Sequence, residues 1–210
     1  SQKRKVIHMD IKTICIHGSD WQDPTGCISV PLFQSATFGH PELGESTGYD
    51  YTRVQNPTRE SAEKVVATLE HGCDCTSYSS GMAAISMVME LFKPGDTIIS
   101  SDDLYGGSIR LFRFVNEKNG IHFKFVNTSY PDKMEEAFDN TVKALYIETP
   151  MNPMMQVTDI RKMADIAHSH GALLIADNTF MSPYFCNPID FGADIVLHSG
   201  TKYLAGHNDT

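Results

Sequence analysis

No apolar run in this sequence approaches the roughly 20 residues that a membrane-crossing helix needs. No cluster of lysine and arginine is long enough to hold a polyphosphate backbone, and a formal net charge of −9 makes nucleic acid a poor partner. The opening stretch "SQKRKVIHMD" is basic, but no apolar segment follows it, so no secretion signal is expected. Cysteine is scarce. Cys15, Cys27, Cys73, Cys75 and Cys186 are odd in number and spread over 210 residues, which argues for reduced thiols against a disulfide framework. The "CDC" at 73–75 has one intervening residue, poor spacing for a structural zinc site, and no second pair matches it. No metal is expected. Internal repeats and low-complexity tracts are also missing. These absences leave an acidic, reduced protein, expected in the cytoplasm, with enough apolar residues (41%) for a sizeable core.

What is present changes character along the chain. Residues 18–56 are rich in Gly, Pro, Ser and Thr with scattered aromatics, and read as an extended arm. From "NPTRESAEKVVATLEH" the pattern is regular: Asn56 is an N-cap, Pro57 a first helical residue, and Val65, Val66 and Leu69 make an apolar stripe. "GCDCTSYSSG" reads as a short strand ending in a turn, and "MAAISMVMELF" as a helix apolar all round and therefore buried. Strands follow at "TIIS", "IHFKFV", "VKALYIE", "ALLIAD" and "ADIVLHS". Helices fall at "YGGSIRLFRFVNEKNG", "DKMEEAFD" and "VTDIRKMADIAHSHG" between them. Short, continuous apolar strands alternating with helices predict an α/β fold: three layers, with a mainly parallel sheet covered on both faces. The arm is assigned to residues 1–56 and the sheet domain to residues 57–210.

In such sheets ligands gather beyond the carboxyl ends of the strands. There stand Ser80, Gly81 and Met82, then Asp102, Asp103 and Tyr105, then Thr149 and Asn152, then Asp177 and Thr179, and finally Ser199, Gly200, Thr201 and Lys202. "SSGM" offers main-chain N–H groups at a helix start, which suit a phosphate dianion, although a plain serine N-cap has the same sequence. Ser199 and Thr201 add hydroxyls from another strand end. Asp177 closes an apolar strand and there needs a cationic partner, such as a protonated pyridine nitrogen, or else is a turn residue. Lys202 follows another apolar strand and can form a Schiff base, unless it is simply exposed. Together with the aromatic Tyr105, these groups describe a site for pyridoxal 5′-phosphate. Another reading, a zinc hydrolase built on "HSH" (168–170) with Asp177, is weakened because histidines two apart on a helix face different ways.

The ordered motifs "YDYTRVQNPTR", "SSGMAA", "DLYGG", "ETPMNP", "ADNTF" and "HSGTKYLAGHND" resemble the Cys/Met-metabolism (trans-sulfuration) enzymes, over roughly residues 13–210. These are pyridoxal-phosphate enzymes of fold type I, with the aspartate aminotransferase-like large domain. The resemblance implies that Lys202 is the Schiff-base lysine and proton shuttle, that Asp177 pairs with the ring nitrogen and that Tyr105 stacks on the ring. Ser80, Gly81, Met82, Ser199 and Thr201 would form the phosphate cradle, and Asn152 would lie near the ring hydroxyl. Tyr51 and Arg53 would reach the phosphate of a neighbouring subunit, giving a dimer at least and commonly a homotetramer.

The resemblance also implies the reaction class, in methionine and cysteine metabolism. The motifs are closest to cystathionine γ-synthase and O-acylhomoserine γ-replacement, with the cystathionine β- and γ-lyases as alternatives. Methionine γ-lyases usually place a cysteine shortly after the tyrosine, where this chain has Gly107. Family members carry a C-terminal domain with an arginine for the substrate carboxylate. None of Arg4, Arg53, Arg59, Arg110, Arg113 and Arg161 is well placed for that role. The sheet domain is therefore expected to be incomplete here, the C-terminal small domain to be absent, and these 210 residues to be inert when alone.

Overall fold

The computed structural model describes residues 9–19, 21, 22 and 25–209. Arg4 and the other residues of positions 1–8 lie outside the described residues, as does Thr210. The chain forms two compact units, Ser1–Ser77 and Tyr78–Thr210. The sequence reading drew its boundary at residue 56, whereas the compact units part at Ser77, so the first long helix groups with the arm.

In the first unit, helix α1 (Ile11–His17) starts at Asp10, whose carboxylate accepts the Lys12 N–H at 2.9 Å. Nothing in the periodicity of the arm had indicated this short helix. Helix α2 (Pro57–Leu69) starts at the expected cap: Asn56 Oδ1 accepts the Thr58 N–H at 2.9 Å, and Pro57 occupies the first turn. The Asn56 amide also donates to Phe33 O and Thr52 Oγ1, each at 3.0 Å, so one buried side chain both starts the helix and pins the extended arm to it.

The predicted strand at 73–78 does not form. The Cys75 N–H donates to Asp74 Oδ1 at 2.8 Å, and Ser77 donates through both its N–H and its hydroxyl to Glu63 Oε1. Side chains have taken the donors that a ladder would have used.

The second unit is a five-stranded, wholly parallel sheet: β1 (Thr97–Ser101), β2 (His122–Val126), β3 (Val142–Glu148), β4 (Leu173–Asp177) and β5 (Ile195–Leu197), in the order β2-β1-β3-β4-β5. Side chains alternate across it. Ile99, Leu145, Ile147, Leu174 and Ala176 face one cluster, with Met134 of α5 (Pro131–Ala137) and Ile160, Met163 and Ala167 of α6 (Ile160–Ser169). Ile98, Ala144, Tyr146, Ile175 and Leu197 face the other, with Ile85 and Met89 of α3 (Gly81–Met89) and Ile109 of α4 (Gly106–Leu111). A sheet covered on both faces has no polar face, which is why its strands read as unbroken apolar runs.

Three elements differ in detail from the expectation. Helix α3 buries Ile85 and Met89, but Met87 is exposed, so it is not buried all round. The long helix before Gly120 is a composite: α4 continues as a π-helical turn over Phe112–Asn116 and a 3₁₀ turn over Glu117–Asn119, stopping at Gly120 with φ 85°. A four-residue helix, α7 (Ser182–Phe185), sits between β4 and β5.

Chain order reverses at β1. The path leaves β1 through α4 to β2 on one side, then returns through α5 to β3 on the other. Right-handed crossovers put those two helices on opposite faces and open a crevice at the carboxyl ends of β1 and β3.

Leu174 is fully buried in the centre of the sheet. Leu174→Ala should cost about 2–5 kcal/mol in a urea unfolding titration.

Candidate active site

A cleft of about 530 Å³ lies at the carboxyl edge of the sheet. Its lining includes Ser80, Gly81, Met82, Tyr105, Asn152, Asp177, Ser199, Thr201 and Lys202. The nine residues singled out in the second unit thus come together from five segments far apart in sequence. The other two, Tyr51 and Arg53, belong to the first unit. There the Arg53 guanidinium sits 5.0 Å over the Tyr51 ring and donates to its hydroxyl at 3.1 Å.

At one end of the cleft, α3 begins at Ser80, whose hydroxyl accepts the Ala83 N–H at 3.1 Å. The serine is therefore a genuine N-cap, and the first-turn N–H groups of Gly81 and Met82 have no acceptor within the helix. A Cβ on Gly81 would lie 2.8 Å from Ser199 Cβ and 3.1 Å from Ser199 Cα. Only glycine lets the helix start and the loop after β5 close on each other. That loop is held in turn by Thr179. Its hydroxyl accepts the Ser199 N–H at 2.8 Å, while its own N–H donates to Asp177 Oδ1 at 3.0 Å.

Asp177 closes β4 and pairs in register with Glu148 at the end of β3. Its Oδ2 accepts the Tyr146 hydroxyl at 3.3 Å. Burial, with Asp177 and Glu148 alongside, pushes the Tyr146 phenol well above its ordinary range, so it stays protonated and able to donate. The turn-residue reading of Asp177 is therefore true as far as the Thr179 bond goes, yet the carboxylate also lines the cleft. Lys202 Nζ donates to Ser199 Oγ at 3.2 Å and stands 5.7 Å over the Tyr105 ring. The ring has room because residue 107 is glycine: a Cβ there would lie 2.4 Å from Tyr105 Cε1 and 2.9 Å from Met82 Sδ. Asn152 sits in a turn with two cis peptide bonds, Thr149–Pro150 and Asn152–Pro153.

Sequence reasoning passed over Glu148, which is 8% exposed and lines the same cleft. Its Oε2 accepts the Tyr105 N–H at 2.9 Å. Burial, assisted by the charges of Asp177 and Asp103, pushes its carboxyl up to about 7 against the pull of hydrogen bonds from the Tyr105 and Asn152 main chain. The available signal was the one that exposed Asp177: a carboxylate closing an apolar run.

The two histidines of the zinc-hydrolase alternative take separate partners. His168 pairs with Asp194 at 2.9 Å and His170 with Glu135 at 2.7 Å. Among the described residues no group of three or more His, Cys, Asp and Glu could hold a metal ion. Among them too, no helix is long and apolar enough to cross a membrane, and no arginine lines the cleft.

Residues 12–210 match the family model described as Cys/Met metabolism PLP-dependent enzyme, and the chain belongs to that family. A cystathionine gamma-lyase from Bacillus subtilis is 50% identical over 202 residues, 96% of this chain and 53% of that protein. A cystathionine gamma-synthase/O-acetylhomoserine (thiol)-lyase of the same organism is 46% identical, covering 96% of this chain and 54% of that protein. A cystathionine beta-lyase from Lactococcus lactis subsp. cremoris is 48% identical, covering 95% and 53%. The crystal structure of cystathionine gamma-lyase from Lactobacillus plantarum complexed with L-serine superposes with a TM-score of 0.93 at 45% identity, covering 96% of this chain and 53% of that one. The chain spans about half the length of the curated relatives it matches.

Membership implies pyridoxal 5′-phosphate, and the cleft fits it. The volume suits a small cofactor. The closure at Gly81 brings a helix start and two hydroxyl-bearing residues to one end, a donor set for a dianion. A carboxylate, an amine and an aromatic face line the same cavity.

Two outcomes follow from this geometry. Gly81→Ala forces the α3 start away from Ser199. It should cost about 1–3 kcal/mol of stability and loosen pyridoxal phosphate in a fluorescence titration. Glu148 carries a pH-dependent penalty. Folded, its carboxyl keeps its proton up to about pH 7; unfolded, it releases it near 4.5, so the fold loses stability as pH rises through that window. Glu148→Gln mimics the protonated acid. In denaturant titrations it should match wild type at about pH 4.5 and exceed it by up to about 3 kcal/mol above pH 7.

Proposed function

We propose that the protein to which this chain belongs is a pyridoxal-phosphate enzyme of trans-sulfuration. Its reaction would be γ-replacement on an O-acylhomoserine to give cystathionine, with cystathionine C–S cleavage as the second reading. The observation that carries the common part is the convergence of Lys202, Asp177, Tyr105 and the two donor sets around one cleft. The second reading is favoured by the lyase names borne by relatives at 48–50% identity.

When bound, the cofactor supplies an electron sink for negative charge at the substrate α-carbon. The chain's own groups would do the rest. The α3 start, Ser199 and Thr201 bind the phosphate and set the depth of the ring. Asp177, steadied by Thr179 and Tyr146, holds a proton on the ring nitrogen. Asn152 lies beside the ring hydroxyl. Tyr105 covers one ring face and excludes water there. Lys202 holds the cofactor by its amine, and the same amine then takes the α-proton and returns it. Its hydrogen bond to Ser199 aims Nζ before the cofactor arrives.

The reading extends to assembly. Tyr51 and Arg53 in the arm of residues 1–56 reach the phosphate of a neighbouring subunit, residues 57–210 hold the cofactor, and the working form is a cytoplasmic homotetramer. The substrate carboxylate is gripped by an arginine of a C-terminal domain. The lack of arginine among the described cleft residues supports this last point.

One experiment tests both levels. The full-length protein, loaded with pyridoxal phosphate, is reduced with borohydride and mapped by peptide mass. Label belongs on Lys202; label on Lys143 or Lys162, or none, overturns the assignment. The unreduced protein is then given O-acylhomoserine with cysteine, or cystathionine alone. Cystathionine formation supports γ-replacement, and release of a thiol amino acid from cystathionine alone supports the lyase reading.

A further inference from the structure

Two carboxylates span the crevice between β1 and β3: Asp103 Oδ2 accepts the Met154 N–H at 3.3 Å, and Glu148 reaches back to the loop after β1. β1 and β3 are neighbours in the sheet, and the chain after β1 runs through Asp102 and Asp103 to Tyr105 before α4 begins. Tyr105 occupies the N-cap position of α4, but its side chain makes no capping bond. Its carbonyl accepts from Ser108 and Ile109, which tethers it to the helix that follows. Its N–H points the other way, back across the crevice, and is met by Glu148 Oε2 at 2.9 Å. Glu148 also accepts from the Asn152 main chain. One carboxyl group therefore ties the tyrosine loop and the asparagine turn to the end of β3.

We propose that Glu148 is a positioning residue. From beneath the cleft it fixes the Tyr105 ring over the cofactor and the Asn152 turn beside it, and its charge state sets the field felt at Asp177. The proposal rests on the cofactor reading above and assigns to Glu148 no contact with the cofactor.

The Tyr105 ring is 46% exposed, so packing alone does not hold it. Gly107 and Met82 lie beneath it and leave it room. What fixes its height and tilt is the main chain, which α4 holds at the Tyr105 carbonyl and Glu148 holds at its N–H. A part-buried N–H left without that acceptor would be costly, and the loop would move to find water.

The groups facing Glu148 are acidic or neutral. Asp177 comes from β4, Asp103 from the loop after β1, and the protonated Tyr146 from its own strand; Lys202 is the cation that lines the same cleft. Ionising Glu148 beside Asp177 strengthens the hold on the Tyr105 N–H and raises the negative potential at Asp177. Protonating it does the reverse. Loop position and ring-nitrogen charge are thereby coupled through one proton.

The test compares Glu148→Gln and Glu148→Ala with wild type, all as cofactor-loaded full-length protein. Gln keeps an acceptor for the Tyr105 N–H but does not titrate, and Ala keeps neither. The first readout is the visible circular dichroism of the bound cofactor, with its retention on dialysis. Gln should keep the wild-type band, and Ala should change its amplitude and lose cofactor about tenfold faster, as expected for a part-buried donor left unsatisfied. The second is kcat/KM against pH: wild type should show a limb near 7 that is missing in Gln. An Ala band and retention equal to wild type would overturn the proposal, and so would a Gln profile that keeps the limb. Should Ala not fold, the Gln profile decides. A wild-type protein that never acquires a visible band would instead overturn the cofactor reading and this proposal with it.

Discussion

A parallel strand buried on both faces can show its polar groups to a ligand only at its ends, and the second unit is organised by that restriction. Its three inner strands, β1, β3 and β4, place Ile98, Ile99, Leu145, Tyr146, Leu174 and Ile175 fully out of water. The main-chain groups inside the sheet are consumed by the ladders, and the faces are consumed by α3 and α4 on one side and α5 and α6 on the other. Polar chemistry collects at the carboxyl edge because no other edge or face is available. The reversal of chain order at β1 then decides where along that edge the cleft opens.

Within the cleft, the arrangement is one of opposed charges held apart until a ligand arrives. Glu148 and Asp177 lie on the strand-end side, with the charge of Asp103 acting on Glu148 from outside the lining, while Lys202 stands over Tyr105, linked to Ser199. The small residues are as important as the charged ones. Gly81 allows two segments to touch, and Gly107 leaves space that the Tyr105 ring and the Met82 sulfur both approach. Thr179 joins the two deepest loops by serving Asp177 with its N–H and Ser199 with its hydroxyl. Geometry here comes from short hydrogen bonds between loops, each anchored to a strand that cannot shift without opening the core.

The strands were legible because burial on both faces writes itself as an unbroken apolar run, as in "ALLIAD". Helix starts were legible where a cap was spelled out, as at Asn56 and Ser80. Nine cleft residues were legible because each follows directly on such a run or opens such a helix. What escaped notice lacked a local signature. Helix α1 has only seven residues, too few for a period to emerge. The stretch 73–78 has the composition of a strand, but its donors are taken by Asp74 and Glu63, the second being a residue remote in sequence. Glu148 looked like the last residue of a strand, and its importance depends on a partner more than forty residues away. The exposure of Met87 is decided by what α3 packs against, which composition does not record.

The strand order has a consequence for the order in which a growing chain can acquire its parts. β2 pairs with β1 first, β3 then docks on the free side of β1, and β4 and β5 add in turn, each to the edge left by its predecessor. A ribosome releasing this chain from its N-terminus therefore delivers each strand to an edge already waiting for it, with no need to open an earlier pairing. The helix start at Ser80 emerges early, whereas Ser199 and Lys202 follow β5, the three-residue strand that comes last. The α3 start thus leaves the ribosome more than a hundred residues ahead of the amine that shares its cleft, and the wall formed by Leu197, Ser199 and Thr201 is among the last parts to be made.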